Sequence, residues 1–311
     1  MTSTHILQGK IAILGAGAIG QSLCHQLHEL GQTPILINRG GLGQYYQQQL
    51  TLIEGNHQHK IISPLVSSQQ LLNKQVAFND LKLLIVTVKA YQVVEALEPL
   101  LHCLPKQCHI LLMHNGMGPH EQIKRQITHQ GLSLGTTSQG ALLTESWQVQ
   151  KTGSGITQIG HFYGPSMDTA MQQCLMGLAD CQWCDAILPC LWQKLAVNVA
   201  INPLTAINQC PNGALAAPQY QTTIAHLTEE VVTVANAAGI KLNLNQLLDR
   251  IYNVIALTAT NRSSMHQDIY HQRMTEIEAI NGYVSAKGKV YGIATPTNDE
   301  MLAQITALQS S

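Results

Sequence analysis

Two stretches of the chain hold residues whose types and spacing could do chemistry. In LWQKLAVNVAINPLTA, residues 191–206, Lys194, Asn198 and Asn202 fall at i, i+4 and i+8, so a helix would carry one charge and two amides along a single stripe. The faces beside that stripe hold Leu191, Leu195, Val197, Val199 and Ile201, which leaves little polar surface around it. A lysine withdrawn from water needs a partner or a purpose. On this stretch alone, a solvent-facing stripe and a functional one are level explanations. Pro203 lacks a backbone donor and crowds the carbonyl of Val199, which predicts a kink or a helix end near Asn202.

The second stretch is GAGAIG, residues 15–20. It follows the strand-like KIAIL (10–14) and opens a helix in which Ile19, Leu23, Leu27 and Leu30 recur at spacings of four, four and three, closed by Gly31. TPILIN (33–38) then completes a strand, turn, helix, strand unit. The glycines serve different ends, with Gly15 making the tight turn, Gly17 allowing close approach of a pyrophosphate, and Gly20 letting helix pack on strand. The helix N-terminus formed with Ala16, Ala18 and Ile19 then faces the phosphates. Where an NAD enzyme places an acidic residue for the ribose hydroxyls, this chain has Asn38-Arg39, which favours the 2′-phosphate of NADP.

The elements that must position these residues can be followed along the chain. Strands at 82–88 (KLLIVTV) and 109–113 (HILLM) end on polar residues, Lys89 and the run His114-Asn115-Gly116-Met117-Gly118, suited to cofactor or substrate contact at the carboxyl edge of a sheet. Residues 131–165 alternate in the manner of antiparallel strands with hairpin turns that extend the sheet edge, and a helix-like stretch follows at 166–179. Near Leu188-Pro189 the pattern changes to helices at about 190–207, 219–238, 243–260, 261–271 and 275–291. The expected architecture is α/β: an N-terminal Rossmann-type dinucleotide-binding domain over 1–187, and a C-terminal all-helical substrate and catalytic domain over 188–311. A cleft between two such domains would take a small substrate. Asn261, Ser264 and Asp268 would share one helical face, with Ser264 read otherwise as a minor capping group. Thr275-Glu276-Ile277-Glu278 reads as a capping box that would leave Glu276 in a first helical turn.

Composition narrows the classes. The chain has 311 residues, enough for two ordinary domains, and its 17 Lys and Arg nearly cancel 18 Asp and Glu, so nucleic acid is not an expected partner. The N-terminus lacks a secretory pattern and no run reaches the length of a membrane span, which predicts a cytoplasmic protein. Eight scattered cysteines fit reduced thiols, the Cys181/Cys184 spacing lacks a matching second pair, and fourteen histidines form no ligand motif, so no metal is expected.

Taken together, GAGAIG (15–20), TVKAYQV (87–93), HNGMG (114–118), LWQKLAVNVAINPLTA (191–206), CPNG (210–213), SSMHQDI (263–269) and TEIEAING (275–282) resemble the ketopantoate reductase family of pantothenate and coenzyme A synthesis. The resemblance implies NADPH-dependent reduction of 2-dehydropantoate to (R)-pantoate; the species expected is a monomer or homodimer. It implies that Lys194 gives the proton to the carbonyl oxygen. Asn198, Asn202, Asn212 and Ser264 would lie along the substrate, with Asn261 placed in the same set. Asn115 would meet both nicotinamide and substrate, and Glu276 would sit near the cofactor and the lysine. The glycine loop, Arg39, Lys89 and Ala141 match cofactor-side positions. His266 stands where an apolar residue is expected. Hydride delivery to a ketone leaves negative charge on its oxygen, which an ammonium can stabilise and protonate. Burial should lower the lysine pKa and Glu276 should raise it. The competing readings are a reductase of another 2-keto or β-hydroxy acid, and a non-catalytic NADP-binding sensor on the same fold.

Overall fold

The computed structural model describes residues 4–40 and 46–309. The chain divides into two compact units: one runs up to His114 and includes Pro119–Ile187, the other joins Asn115–Gly118 to the residues from Leu188 onward.

The first unit is built on strands β1 (His5–Leu7), β2 (Ile11–Leu14), β3 (Ile35–Asn38), β4 (Tyr46–Glu54), β5 (His57–Ser67), β6 (Val76–Phe78), β7 (Leu83–Val86), β8 (His109–Leu112), β9 (Leu132–Thr137), β10 (Gly140–Glu145), β11 (Gln148–Gly153), β12 (Thr157–Tyr163) and β13 (Cys181–Trp183). β1 and β6 pair by themselves; the others form one sheet in the order β10-β11-β4-β5-β3-β2-β7-β8-β9-β12-β13. From β5 to β9 the neighbours run parallel. Strands β2, β7 and β8 are buried along their whole length, as the unbroken apolar runs IAIL, LLIV and the His109-led HILL require of a sheet covered on both faces. The order in which strands are laid down reverses at β2: β3 lies on one side and β7 on the other. That switch point is where a doubly wound sheet opens a crevice at its carboxyl edge, and the glycine turn leaves β2 there.

Two features depart from the sequence reading of this unit. The 131–165 strands do not extend a single edge: β9 and β12 pair antiparallel toward one end of the sheet, while the β10–β11 hairpin lies at the other, parallel to β4. The β4–β5 hairpin is also new, because YQQQ and HQHK hide its alternation. Its two-residue loop, Gly55-Asn56, begins with Gly55 at φ +58°, a conformation glycine adopts without strain.

The second unit is helical over Ile187–Ile207, Pro218–Ala237, Leu244–Leu257, Ser264–Tyr270, Asn281–Tyr291 and Pro296–Gln309. Proline opens the second and last of these, where a missing N–H costs nothing. Gly292 at φ +69° closes the Asn281 helix in the left-handed cap glycine favours. Leu195, Val199, Ile224, Leu227, Val231, Ile251, Ile255, Val284 and Ile305 are all buried. Among the described residues no helix is long and apolar enough to cross a membrane. No disulfide joins any of the eight cysteines.

The first helix agrees with the span read at about 190–207: of the kink or end expected near Asn202 the end does not occur, and the helix continues through Pro203 to Ile207. Two expectations for this unit are corrected. Asn261 precedes the Ser264–Tyr270 helix, so it shares no helical face with Ser264 and Asp268, and the cap is Ser263, whose hydroxyl accepts the His266 N–H. The capping box at 275–278 does not form. Thr275 Oγ1 accepts from Ile277 N–H, two residues on, a short 3-10 turn covers Ile277–Ala279, and the helix starts only at Asn281.

Candidate active site

Within the helical unit, the Ile187–Ile207 helix is pinned by its apolar faces, and the polar stripe follows from that. Leu195 and Val199 bury completely, which turns Lys194 and Asn198 to half-buried positions and Asn202 inward. Lys194 Nζ donates to Asn115 Oδ1 at 3.2 Å. Asn115 Nδ2 donates to Glu276 Oε2 at 3.2 Å. One amide therefore spans the two charges, its oxygen toward the ammonium and its nitrogen toward the carboxylate, the orientation each charge favours.

The loop bearing Asn115 is fixed by its own backbone. Met117 N–H donates to Ala279 O at 2.7 Å. Gly116 sits at φ +73°, where a Cβ would lie 2.4 Å from Ala279 O, so only glycine lets the loop approach this closely. Glu276 is 5% exposed. It is thus a buried carboxylate facing an amide and not the solvated first-turn residue of a capping box. Lys194 is held down to a pKa of about 8 from its ordinary 10.5: crowding by protein lowers it, and the Glu276 charge raises it by less. An ammonium so poised is an acid near neutral pH.

The remaining candidates of this unit fall into two groups. Asn212 is buried, its Nδ2 donates to Thr258 Oγ1 at 2.9 Å, and its Oδ1 meets no donor, leaving an unspent acceptor. Asn261 and Ser264 are exposed, and Asn261 takes part through its main chain, accepting the Asn212 N–H at 2.9 Å. Asp268 is buried against Arg273 Nε at 3.2 Å, a structural pairing. His266 is buried too, its Nδ1 3.1 Å from Cys210 O, which gives the polar ring a partner in an otherwise apolar place.

In the sheet unit, the glycine turn runs from Leu14 to a helix at Ala18–Glu29. Gly15 holds φ +112°, and a Cβ on Gly20 would fall 2.0 Å from Gly15 O. At Gly17 a Cβ would meet no protein atom within 4 Å. The mouth of the turn is open, no side chain caps the helix, and no acidic residue stands in its first turn. Open N–H groups with room in front of them suit an anion. Two residues that the motif did not point to hold the turn in shape: Thr87 Oγ1 donates to Gly15 O at 2.8 Å, and Gln21 Nε2 to Ala16 O at 2.8 Å. Thr87 directly follows the buried strand β7 beside the turn; a hydroxyl at that place was the available signal. Arg39 follows β3 and pairs with the Glu95 carboxylate, both mostly exposed. Lys89 is half-buried at the start of a 3-10 turn, Ala90–Gln92. Ala141 lies in β10, paired with Lys151 across the hairpin. Among the described residues, no group of three or more His, Cys, Asp or Glu is arranged to hold a metal.

Comparison with known proteins adds relatives to this geometry. The profile of the ketopantoate reductase PanE/ApbA family matches residues 11–164, and the profile of its C-terminal part matches 186–309. A 2-dehydropantoate 2-reductase of Vibrio cholerae is 42% identical over 97% of this chain and 98% of its own length. One from Escherichia coli O157:H7 is 35% identical over 97% and 95%. Among solved structures, D-mandelate dehydrogenase with NADH and anilino(oxo)acetate is 25% identical, with a TM-score of 0.85 over 96% of this chain and 98% of that one. A ketopantoate reductase of Ralstonia eutropha JMP134, at 23% identity and a TM-score of 0.81 over 96% and 98%, shares the fold.

Proposed function

The chain belongs to the ketopantoate reductase family, and we propose that it reduces the ketone of 2-dehydropantoate to (R)-pantoate with NADPH, Lys194 supplying the proton. The observation that carries this reading is the Lys194–Asn115–Glu276 chain, with its ammonium at a pKa of about 8. NADPH, held at the glycine turn, would supply the hydride for the ketone carbon. Negative charge then gathers on the ketone oxygen, where Lys194 neutralises it and gives up its proton. Glu276 keeps that lysine from losing its proton too easily, and Asn115 fixes the distance between the two. Asn198 and Asn202 offer donors and acceptors to a carboxylate, a ketone and a hydroxyl without adding charge. Asn212 adds a buried acceptor suited to a substrate hydroxyl.

For the cofactor, Gly15–Gly20 would receive the pyrophosphate, and Arg39 the 2′-phosphate. An exposed ion pair like Arg39–Glu95 contributes little by itself, so the guanidinium can exchange a carboxylate for a phosphate. Lys89, Ala141, Asn115 and Glu276 complete the cofactor side, and Asn261 and Ser264 the substrate side, as family positions. In this reading residues 1–187 bind NADP and 188–311 bind and reduce the substrate. The setting is the cytoplasm, the partner a small 2-oxo acid, and the active species a monomer or homodimer.

The likeness to D-mandelate dehydrogenase keeps a second substrate in view, a 2-oxo acid bearing an aromatic group. Identity of 42% with a 2-dehydropantoate reductase, against 25% here, favours the branched aliphatic acid. Removing a general acid typically costs about 10²–10⁴-fold in rate. Lys194→Ala should therefore collapse turnover by that factor while NADPH still binds with native affinity. Turnover near the native rate in the folded variant would remove Lys194 from the chemistry.

A further inference from the structure

The Ile187–Ile207 helix contains a gap in its own bonding. Pro203 has no N–H, and in a regular helix the donor at that position goes to the carbonyl four residues back, that of Val199. Val199 is fully buried, so bulk water cannot take the donor's place. The donor comes from another element: Asn281 Nδ2 reaches Val199 O at 3.4 Å. The same amino group donates to Asn298 Oδ1 at 3.1 Å, and Asn298 Nδ2 donates onward to Glu230 Oε2 at 2.7 Å. Glu230 also accepts the backbone N–H of Thr297 and Asn298, at 2.8 and 3.0 Å. Asn281 and Asn298 are both completely buried, and Asn281 Oδ1 meets no donor. The amide is used for its two N–H groups alone.

Asn281 also closes a stretch that begins at Glu276. Glu276 accepts from the Asn115 amide, and Ala279 O accepts the Met117 N–H. Six residues, 276–281, thus hold the Asn115 loop at one end and the Lys194 helix at the other. We infer that Asn281 is a positioning residue, and that Glu276–Asn281 is a bracket setting the Lys194–Asn198 turn against Asn115 and Glu276. Pro203 frees the carbonyl that the bracket grips, and the oddity of a proline inside this helix becomes the place where the helix is held. What the held stripe binds rests on the function proposed above; the grip itself does not.

The test is a cycle of Asn281→Ala, Pro203→Ala and the double variant, read by melting temperature, by KM and kcat for 2-dehydropantoate, and by NADPH affinity. Asn281→Ala leaves a buried carbonyl without its donor. It should lower the melting temperature by about 4 °C and raise KM about tenfold, with NADPH affinity unchanged. Pro203→Ala restores an N–H to the Val199 carbonyl but not the donor to Asn298, so adding it to Asn281→Ala should recover most of the KM loss and only part of the melting loss. Additive losses, or no rescue by Pro203→Ala, overturn the inference. If Asn281→Ala does not fold alone, folding of the double variant is the rescue, and its failure to fold counts against the bracket. If the native chain reduces no 2-oxo acid, the functional reading fails, while the melting cycle still judges the grip.

Discussion

Lys194 is subject to two opposed influences, and their balance sets how the protein should respond to pH. Burial lowers its pKa and Glu276 raises it, leaving it at about 8. The folded value lies below the ordinary 10.5, so the unfolded chain holds the extra proton between about pH 8 and 10.5. Stability from this group therefore rises with pH across that window and is fully recovered only above it. The proton donation proposed for Lys194 runs the other way: reduction should decline as pH rises through about 8. Glu276→Gln removes the influence that raises the lysine, so the basic limb of kcat/KM should move to lower pH, measured over a series of buffers at saturating NADPH. A limb that stays in place or moves upward would show that Glu276 does not act on Lys194. The stripe was legible in the spacing of Lys194, Asn198 and Asn202, because a 3.6-residue period needs no tertiary information. The place of Glu276 was legible only through the family resemblance, not in its local pattern. Thr275-Glu276-Ile277-Glu278 satisfies a capping-box pattern, and only the Thr275 bond to Ile277 and the buried Asn115 contact show that the pattern is empty. The sign of the lysine shift was also out of reach, since it depends on how much protein surrounds the ammonium.

The glycine turn makes a sharper contrast between neighbouring positions of one motif. A methyl group on Gly20 would fall 2.0 Å from Gly15 O, deep in the contact between turn and helix. On Gly17 it would meet nothing of the protein. Gly20→Ala should therefore lower the melting temperature sharply or prevent folding. Gly17→Ala should melt like the native chain and lose NADPH affinity by about tenfold or more, because the methyl group would occupy the space that the proposed function gives to pyrophosphate. Binding titrations and melting curves of the two variants check this, and a Gly17→Ala protein that binds NADPH normally would put the pyrophosphate elsewhere. This element was readable from KIAILGAGAIG because turn, helix period and buried strand are all local. The β4–β5 hairpin escaped because its exposed faces are glutamine and histidine. The separation of the β10–β11 hairpin from the β9–β12 pair escaped because pairing partners are distant in the chain.

The groups that the proposed function calls on are divided between the units: the open glycine turn belongs to the sheet unit, and Lys194, Asn198 and Glu276 to the helical one. Similarity to the Vibrio cholerae reductase extends over 97% of the chain, so the activity belongs to the whole of it. The sequence marked the change of pattern at Leu188-Pro189, where a helical period replaces alternation. It held no sign that Asn115–Gly118, far back in the chain, groups with the helices, because that grouping depends on contacts such as Met117 to Ala279. The most direct measurement is NADPH oxidation by the intact chain with 2-dehydropantoate, beside NADH and beside pyruvate-like, branched and aromatic 2-oxo acids. We expect kcat/KM to be highest for 2-dehydropantoate with NADPH, and to fall when NADH replaces it. Tight NADPH binding with no turnover of any 2-oxo acid, or a clear preference for an aromatic one, would contradict the function assigned to Lys194 and its amides.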